Sequence, residues 1–354
     1  MAIDETKLNE FLGTFVTDLG ATMNAPLVVL GDRLGLYKGL AEGGPQTPAE
    51  LATRTGTAER YVREWLLAQA AGGYVTYEGD DADPRFYLTE EQAFCLADDN
   101  SPAFVPGGLQ VALSTALDRE RIEQAFRTGS GVGWHEHHEE LFVGTERFFR
   151  PGYLGNLLTS WVPSLDGVEA KLRAGATIAD VGCGHGASTI ILAEAFPEST
   201  IVGFDYHEAS IEVARKRAAE AGVGDRVRFE VAKAQDFPGT GFDLVCFFDC
   251  LHDMADPEGA IRHVRQSLAD DGTWMLVEPI AWSTIAESLN PVGRAFYGAS
   301  TSICTPAGLD GEPGAGLGNQ VSDERWAQLT AANGFTRIRR AAETPFNRVF
   351  EVRP

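Results

Sequence analysis

Two stretches of this sequence place side chains where they could do chemistry. The first is Asp180-Val181-Gly182-Cys183-Gly184-His185-Gly186, in which three glycines alternate with other residues directly after a short β-branched run. Glycine at such positions permits a tight turn and lets a ligand lie against the backbone. Asp180 precedes the turn. A second acid, Asp205, closes the next apolar run, where its two oxygens can hold both hydroxyls of a ribose. The second stretch is Phe248-Asp249-Cys250-Leu251-His252-Asp253, in which an imidazole follows a long apolar run. Asp253 and Asp256 are placed to orient that ring and to favour its protonated form. A dinucleotide-binding turn shares the glycine pattern, so the loop alone does not fix the ligand.

The elements around these residues narrow the choice. From Thr177 onward, strand and helix patterns alternate: strands over Thr177–Val181, Thr200–Phe204, Val227–Val231, Phe242–Phe248 and Thr273–Glu278, with helices over Ala187–Phe196, Glu208–Ala221 and Pro257–Leu268. Such alternation predicts an open, doubly wound parallel sheet. Its ligand belongs at the C-terminal ends of the strands, which is where the glycine loop, Asp205 and His252 fall. Phe335–Thr344 and Arg348–Arg353 read as an antiparallel hairpin at the sheet edge, so the sheet does not end as a second mononucleotide half.

The N-terminal third reads differently. Leu27, Leu30 and Leu34 mark an amphipathic helix, with Pro26 in its first turn. Thr47-Pro48-Ala49-Glu50 is a capping box opening a second helix. Thr57 caps a third, whose apolar face is Val62, Trp65, Leu66 and Ala70. Tyr74–Tyr77 and Phe86–Leu88 then form a hairpin around the acidic loop Gly79–Pro84. Helix, turn, helix and hairpin make a winged helix. Charge argues against DNA: residues 1–100 hold seven Lys or Arg against seventeen Asp or Glu. Arg60 and Arg63 are matched by Glu59 and Glu64, and the wing carries Glu78, Asp80, Asp81 and Asp83, whereas a DNA reader needs a positive footprint there. The apolar stripe Phe11, Leu12, Phe15, Val16 and Leu19 calls for a partner, and a homodimer built on this domain is expected.

Further along, Val105–Arg127 reads as one connecting helix. His135 and His138, three apart on an expected helix, would share a face with Trp134 and Leu141 and look into a substrate pocket. The 354 residues fit two domains, and a net charge of −22 repels phosphate backbones. Five cysteines without a CxxC pair predict free thiols in a reducing, cytoplasmic compartment. No metal site is expected. No run is long enough to span a bilayer, and Met1–Glu10 lacks the apolar core of a secretory signal.

The C-terminal constellation resembles the class I S-adenosylmethionine-dependent methyltransferases, over about Thr177–Pro354. The whole chain is similar to bacterial methyltransferases with an N-terminal winged helix, through Glu146-Arg147-Phe148-Phe149-Arg150-Pro151-Gly152-Tyr153, Phe204-Asp205-Tyr206-His207 and Asp249-Cys250-Leu251-His252-Asp253-Met254-Ala255-Asp256-Pro257. Small-molecule O-methyltransferases share this plan. The resemblance implies an α/β, Rossmann-like seven-stranded sheet with a terminal antiparallel hairpin, behind a mainly helical winged-helix domain that makes the dimer. It implies S-adenosylmethionine as cofactor and S-adenosylhomocysteine as product. Asp180, Gly182, Cys183 and Gly184 would lie at the methionine part and Asp205 at the ribose. Tyr206, Lys233, Ala234 and Gln235 would lie near the adenine, and Phe248 would complete the cofactor site. Lys233 stands where the family usually has Asp. His252, in a His-Asp-x-x-Asp motif with Met254 at a usually aromatic position, would be the general base.

The expected division is 1–100 winged helix, 101–165 helical connector and 166–354 methyltransferase domain, with residues 280–320 inserted as an aromatic, mobile cover. Trp134, His135, His138, Tyr153 and Tyr297 are the expected acceptor contacts. A small aromatic or hydrophobic acceptor fits this lining, with O-methylation favoured and N- or C-methylation of an electron-rich ring such as indole also open. A regulator that binds the cofactor without turnover, acting through the winged helix, is the competing function.

Overall fold

A seven-stranded sheet carries the larger part of the protein, described here from a computed structural model that covers residues 3–80 and 82–354. Met1 of the acidic start and Asp81 of the wing lie outside the described residues. Nine strands occur among them: β1 Thr76–Glu78, β2 Arg85–Tyr87, β3 Thr177–Val181, β4 Thr200–Asp205, β5 Val227–Val231, β6 Phe242–Phe248, β7 Leu268–Pro279, β8 Arg337–Glu343 and β9 Asn347–Arg353. The large sheet runs β5-β4-β3-β6-β7-β9-β8. β3 through β7 pair in parallel, and β9 pairs antiparallel with both β7 and β8. The chain order reverses at β3, which has β4 on one side and β6 on the other. Ligands of open α/β sheets bind at such a reversal.

The sheet is apolar because helices cover it. β6 and β7 are buried along most of their length, as two-sided strands must be. Val245, Phe247, Trp274, Leu276, Trp326 and Phe350 lie within one continuous core. The helices Ala187–Ala195, Glu208–Glu220 and Pro257–Ser267 follow β3, β4 and β6. Ile211, Ala214 and Ala218 face inward as their spacing predicts.

The chain divides into two compact units, one reaching to Ser114 and including Val143–Pro151, the other comprising Thr115–Phe142 and Gly152–Pro354. The expected connector 101–165 is thus shared between them. In the first unit, Tyr37, Leu40, Leu51, Val62, Trp65, Leu66 and Phe86 close a separate core. The capping box forms as read: Thr47 accepts from the Glu50 backbone N–H, and the Glu50 carboxylate accepts from the Thr47 N–H. β1 and β2 make the wing hairpin. Arg60 is paired with Glu64 at 2.5 Å and Arg63 with Glu59 at 2.8 Å, so the helix Glu59–Ala71 offers compensated rather than free cations.

Several local expectations are corrected. The first helix runs Glu5–Arg33, so Pro26 sits inside it rather than in its first turn, and Asp4 provides the cap. The cap of Glu59–Ala71 is Ala58, because the Thr57 hydroxyl pairs with Thr55 at 2.8 Å. The expected single helix 105–127 is two, Pro106–Leu117 and Arg119–Thr128. Asp118 separates them, its carboxylate contacting His137 Nδ1 at 2.9 Å and accepting from the His138 N–H at 3.1 Å. Trp134–Glu136 is a single 3₁₀ turn and the next helix begins at Glu139, so His135 and His138 share no helical face.

All five cysteines are free. Among the described residues, no helix is long and apolar enough to cross a membrane.

Candidate active site

The glycine loop between β3 and the helix Ala187–Ala195 has the backbone its sequence demands. Gly182, Gly184 and Gly186 all have positive φ, at 75°, 51° and 79°. A Cβ on Gly182 would stand 2.7 Å from Cys250 Sγ, and one on Gly186 would stand 2.8 Å from the Phe229 ring. At Gly184 a Cβ would meet nothing within 4 Å, so that residue opens on free space.

Two carboxylates hold the loop, in different ways. Asp180 is fully buried and accepts from Ser188 Oγ at 2.7 Å and Thr189 Oγ1 at 2.6 Å, tying β3 to the following helix. Burial pushes its pKa up to about 6, against the lowering effect of the two hydroxyls. Asp205 ends β4. One oxygen accepts from the Gly184 N–H and the other from the His207 N–H, each at 2.9 Å. Each oxygen keeps a lone pair for a further donor. Burial raises this carboxyl's pKa while the two backbone N–H groups lower it.

The other expected cofactor residues fall around the same strand ends. Tyr206 is half-exposed, stands edge-on to His135 at 6.1 Å, and has its hydroxyl hydrogen-bonded by the His135 backbone. Burial and Asp205 together raise the Tyr206 pKa. Lys233 is exposed just beyond β5 and Ala234 is buried. Gln235 donates to the Asp256 carbonyl at 3.0 Å. Cys183 is buried, and burial pushes its thiol well up. Phe248 packs against Tyr153 at 5.2 Å and Trp161 at 6.4 Å.

The expected acceptor residues are not all brought together. Trp134 packs on Phe142, which in turn lies 4.9 Å from His207. His138 instead caps the helix Glu139–Asn156, its Nδ1 accepting from the Glu140 N–H at 3.2 Å. Tyr297 stands exposed on the helix Pro291–Ala299.

His252 lies on a 3₁₀ turn just past β6 and is buried. The turn begins against the glycine loop, with Cys250 Sγ 3.4 Å from the Val181 carbonyl oxygen. The orienting acid is not Asp256, which caps Pro257–Ser267 by accepting from the Gly259 N–H at 2.8 Å. It is Glu278, at the end of β7, whose Oε2 lies 2.7 Å from His252 Nδ1. Asp253 Oδ1 lies 3.1 Å from Nε2. Burial alone would lower the pKa of the imidazole; Asp253 and Glu278 outweigh it and raise it well above the ordinary value.

Sequence reasoning missed three residues here. Glu278 closes an apolar strand, a signal that was present but unlinked to His252, 26 residues away. Asp249 is buried and, among the described non-glycine residues, alone has a positive φ, at 52°. Its Oδ1 accepts from Asn347 Nδ2 at 2.7 Å, across the sheet from β9. Such strain persists where the surroundings over-determine it, and it clusters at functional sites. Cys304, from the segment after β7, hydrogen-bonds His252. That segment is helical through Pro291–Ala299, Ser300–Cys304 and Thr305–Leu309, and the Ala315 N–H donates to the Ala255 carbonyl at 3.0 Å.

Residues 172–304 match a family model described as a methyltransferase domain, and residues 22–98 match an Rv2258c-like winged HTH domain. Over 170 residues the chain is 34% identical to 27-O-demethylrifamycin SV methyltransferase of Amycolatopsis mediterranei, covering 46% of this chain and 54% of that protein. The chain spans about half the length, or less, of the first curated relatives it matches. The fold superposes on human N-acetylserotonin methyltransferase in complex with S-adenosylmethionine, with a TM-score of 0.72 and 16% identity over 100% of this chain and 99% of that one. It also superposes on an O-methyltransferase family protein from Burkholderia thailandensis, with a TM-score of 0.69 and 17% identity over 100% and 99%.

Asp180 makes stability depend on pH. Its folded pKa of about 6 lies above the unfolded value, so the protonated form is favoured by folding. That contribution is complete below about pH 4, and it is lost as pH rises through 6, on the order of 3 kcal/mol in all. Urea melts of Asp180→Asn should lack this loss between pH 4 and 7, and an identical pH slope in both proteins contradicts the assignment.

Proposed function

We propose that this chain, a methyltransferase domain joined to an N-terminal winged helix-turn-helix domain, methylates a hydroxyl of a small aromatic or hydrophobic acceptor. Its fold is that of the S-adenosylmethionine-dependent methyltransferases. One observation carries the reading. Glycine loop, Asp205 and His252 stand at the ends of three adjacent strands, at the point where the order of the sheet reverses.

The residues fit the cofactor. Gly184 leaves open the space that a side chain would fill, and Asp205 keeps lone pairs for two hydroxyls. The backbone of Gly182–Gly184 would hold the methionine part and Asp205 the ribose. Tyr206, Lys233, Ala234 and Gln235 would flank the adenine, and Phe248 with Tyr153 would close the far side. When bound, S-adenosylmethionine supplies a methyl group on a sulfonium, open to displacement from behind. What the chain adds is position and a proton acceptor. Orientation of the acceptor contributes several kcal/mol, to a ceiling of about 7–11. Only the neutral ring, with Nδ1–H donating to Glu278, can take the acceptor's proton at Nε2, and because Asp253 and Glu278 favour the imidazolium, the neutral form becomes more populated as pH rises. Glu278 and Asp253 stabilise the imidazolium that results. Trp134, His135 and Tyr297 remain proposed acceptor contacts, and residues 280–320 the proposed cover.

Calorimetry should show S-adenosylhomocysteine binding and no NAD binding. Asp205→Ala should weaken the former by roughly 10- to 100-fold, from the loss of hydrogen bonds to a charged group. Binding of NAD alone contradicts the reading. With a phenolic acceptor, His252→Ala should lower kcat by about 10²–10⁴-fold while S-adenosylhomocysteine affinity stays within about twofold, since His252 is not among its proposed contacts. Near-full turnover on a phenol would remove His252 from the proposal.

A homodimer belongs to the same proposal. Leu8, Phe11, Leu12, Phe15, Val16, Leu19 and Met23 are all exposed on one helix, at the three- and four-residue spacing of a single stripe. A second copy offers the same stripe, so the contact is self-complementary. Light scattering should give a dimer for the full chain and a monomer for Phe11→Asp/Phe15→Asp. A monomeric full chain at micromolar concentration is the contrary result.

A further inference from the structure

Cys304 has no part in the proposed methyl transfer, yet its thiol is buried against the His252–Asp253 turn. The His252 ring nitrogen, an Asp253 carboxylate oxygen and Cys304 Sγ lie within 4.8 Å of one another. Among the described residues, no other group of three or more His, Cys, Asp or Glu brings its donor atoms together in this way. We propose that His252 Nε2, Asp253 Oδ1 and Cys304 Sγ form a binding site for a borderline-soft divalent cation of the zinc class.

Four observations support this. The donor set is one nitrogen, one oxygen and one sulfur, which suits zinc and not magnesium or calcium. Its spread is small: the donor atoms lie within 4.8 Å of one another, and a tetrahedral zinc holds its ligand atoms roughly 3.3–3.8 Å apart. His252 Nδ1 is already held by Glu278 at 2.7 Å. A carboxylate on the far nitrogen is how metal-ligating histidines are oriented and made more basic. Finally, two buried carboxylate oxygens beside the cluster, Glu278 Oε1 and Asp249 Oδ2, have no hydrogen-bond donor. Buried carboxylate oxygens call for a cation or a proton, and Arg348, which interacts with Glu278, is committed to Asp323 and to the Pro279 and Val321 carbonyls. Asp253 is the least buried of the three ligands, at 19% side-chain exposure.

Coordination displaces the thiol proton, and any proton on Nε2, to water. It also occupies the nitrogen that takes the acceptor's proton under the proposed function. Zinc is therefore expected to inhibit turnover reversibly, and this consequence alone rests on that reading.

The test needs no acceptor. Metal-free full-length protein is titrated with zinc against a chromophoric chelator, and separately with cobalt. One equivalent should bind, and cobalt should give a thiolate-to-metal charge-transfer band. Cys304→Ser should abolish that band and weaken zinc by at least about 10-fold, and Glu278→Gln should weaken zinc by about 10- to 100-fold. Retained S-adenosylhomocysteine binding checks that each variant folds. The wild-type cobalt spectrum decides the matter even if a variant does not fold. No stoichiometric binding, a cobalt spectrum without the thiolate band, or zinc affinity unchanged in Cys304→Ser overturns the site. Zinc binding by a protein that transfers no methyl group even when stripped of metal would leave the site standing and refute the proposed function instead.

Discussion

The carboxylate of Asp205 is the joint on which the site depends. It ends β4 and takes one backbone N–H from the glycine loop and another from the turn that follows it. Charge-assisted hydrogen bonds of this kind are the strong ones, and these are partly buried. They fix the loop at the end of β3 relative to the end of β4 before any ligand arrives. The loop can be drawn in so tightly because its glycines accept positive φ and because Gly182 leaves room for the Cys250 thiol. Cys250 begins the turn that carries His252, so one chain of contacts runs from Asp205, the proposed ribose ligand, to the proposed base.

That base is set by a second constraint. An imidazole buried to this extent would ordinarily be neutral. Here Glu278 and Asp253 reverse the balance. Glu278 reaches the ring because β7 lies beside β6 in parallel register, with Phe248 opposite Val277. Burial of this much charge is costly, and neighbouring Asp249 is held in a strained backbone with its carboxyl pushed well up by burial and by Glu278. A buried polar cluster of this kind is the arrangement the proposed proton transfer calls for.

How much of this was legible in the sequence follows from which interactions are local. β3, β5 and β6 fall where the apolar runs place them, since strand burial imprints directly on composition. The glycine loop, Asp205 and His252 were found because each adjoins its own strand. Asp253, named beside His252, does lie 3.1 Å from Nε2; the second partner, Glu278, was not found, because pairing it with His252 requires the sheet order, which spacing along the chain does not carry. Asp256 was the nearer acid, but a helix start claimed it. The histidines at 135–138 were misjudged for a similar reason. A helical period was read through them, whereas Asp118, nineteen residues back, draws His137 and the His138 N–H into an extended turn. Cys304 was invisible, since nothing local links it to the turn it touches.

The central claim is that this site transfers a methyl group to a small acceptor. Its most direct test is to incubate the full-length protein with S-adenosylmethionine carrying a deuterated methyl group and a panel of phenols, catechols, hydroxyquinones and indoles, and to follow both label and S-adenosylhomocysteine by mass spectrometry. The account predicts labelled methyl on the oxygen of an aromatic hydroxyl, with one S-adenosylhomocysteine formed per label. Tight binding of the cofactor with no label transferred to any member of the panel, together with cofactor-dependent retention of DNA by the winged helix, would contradict it.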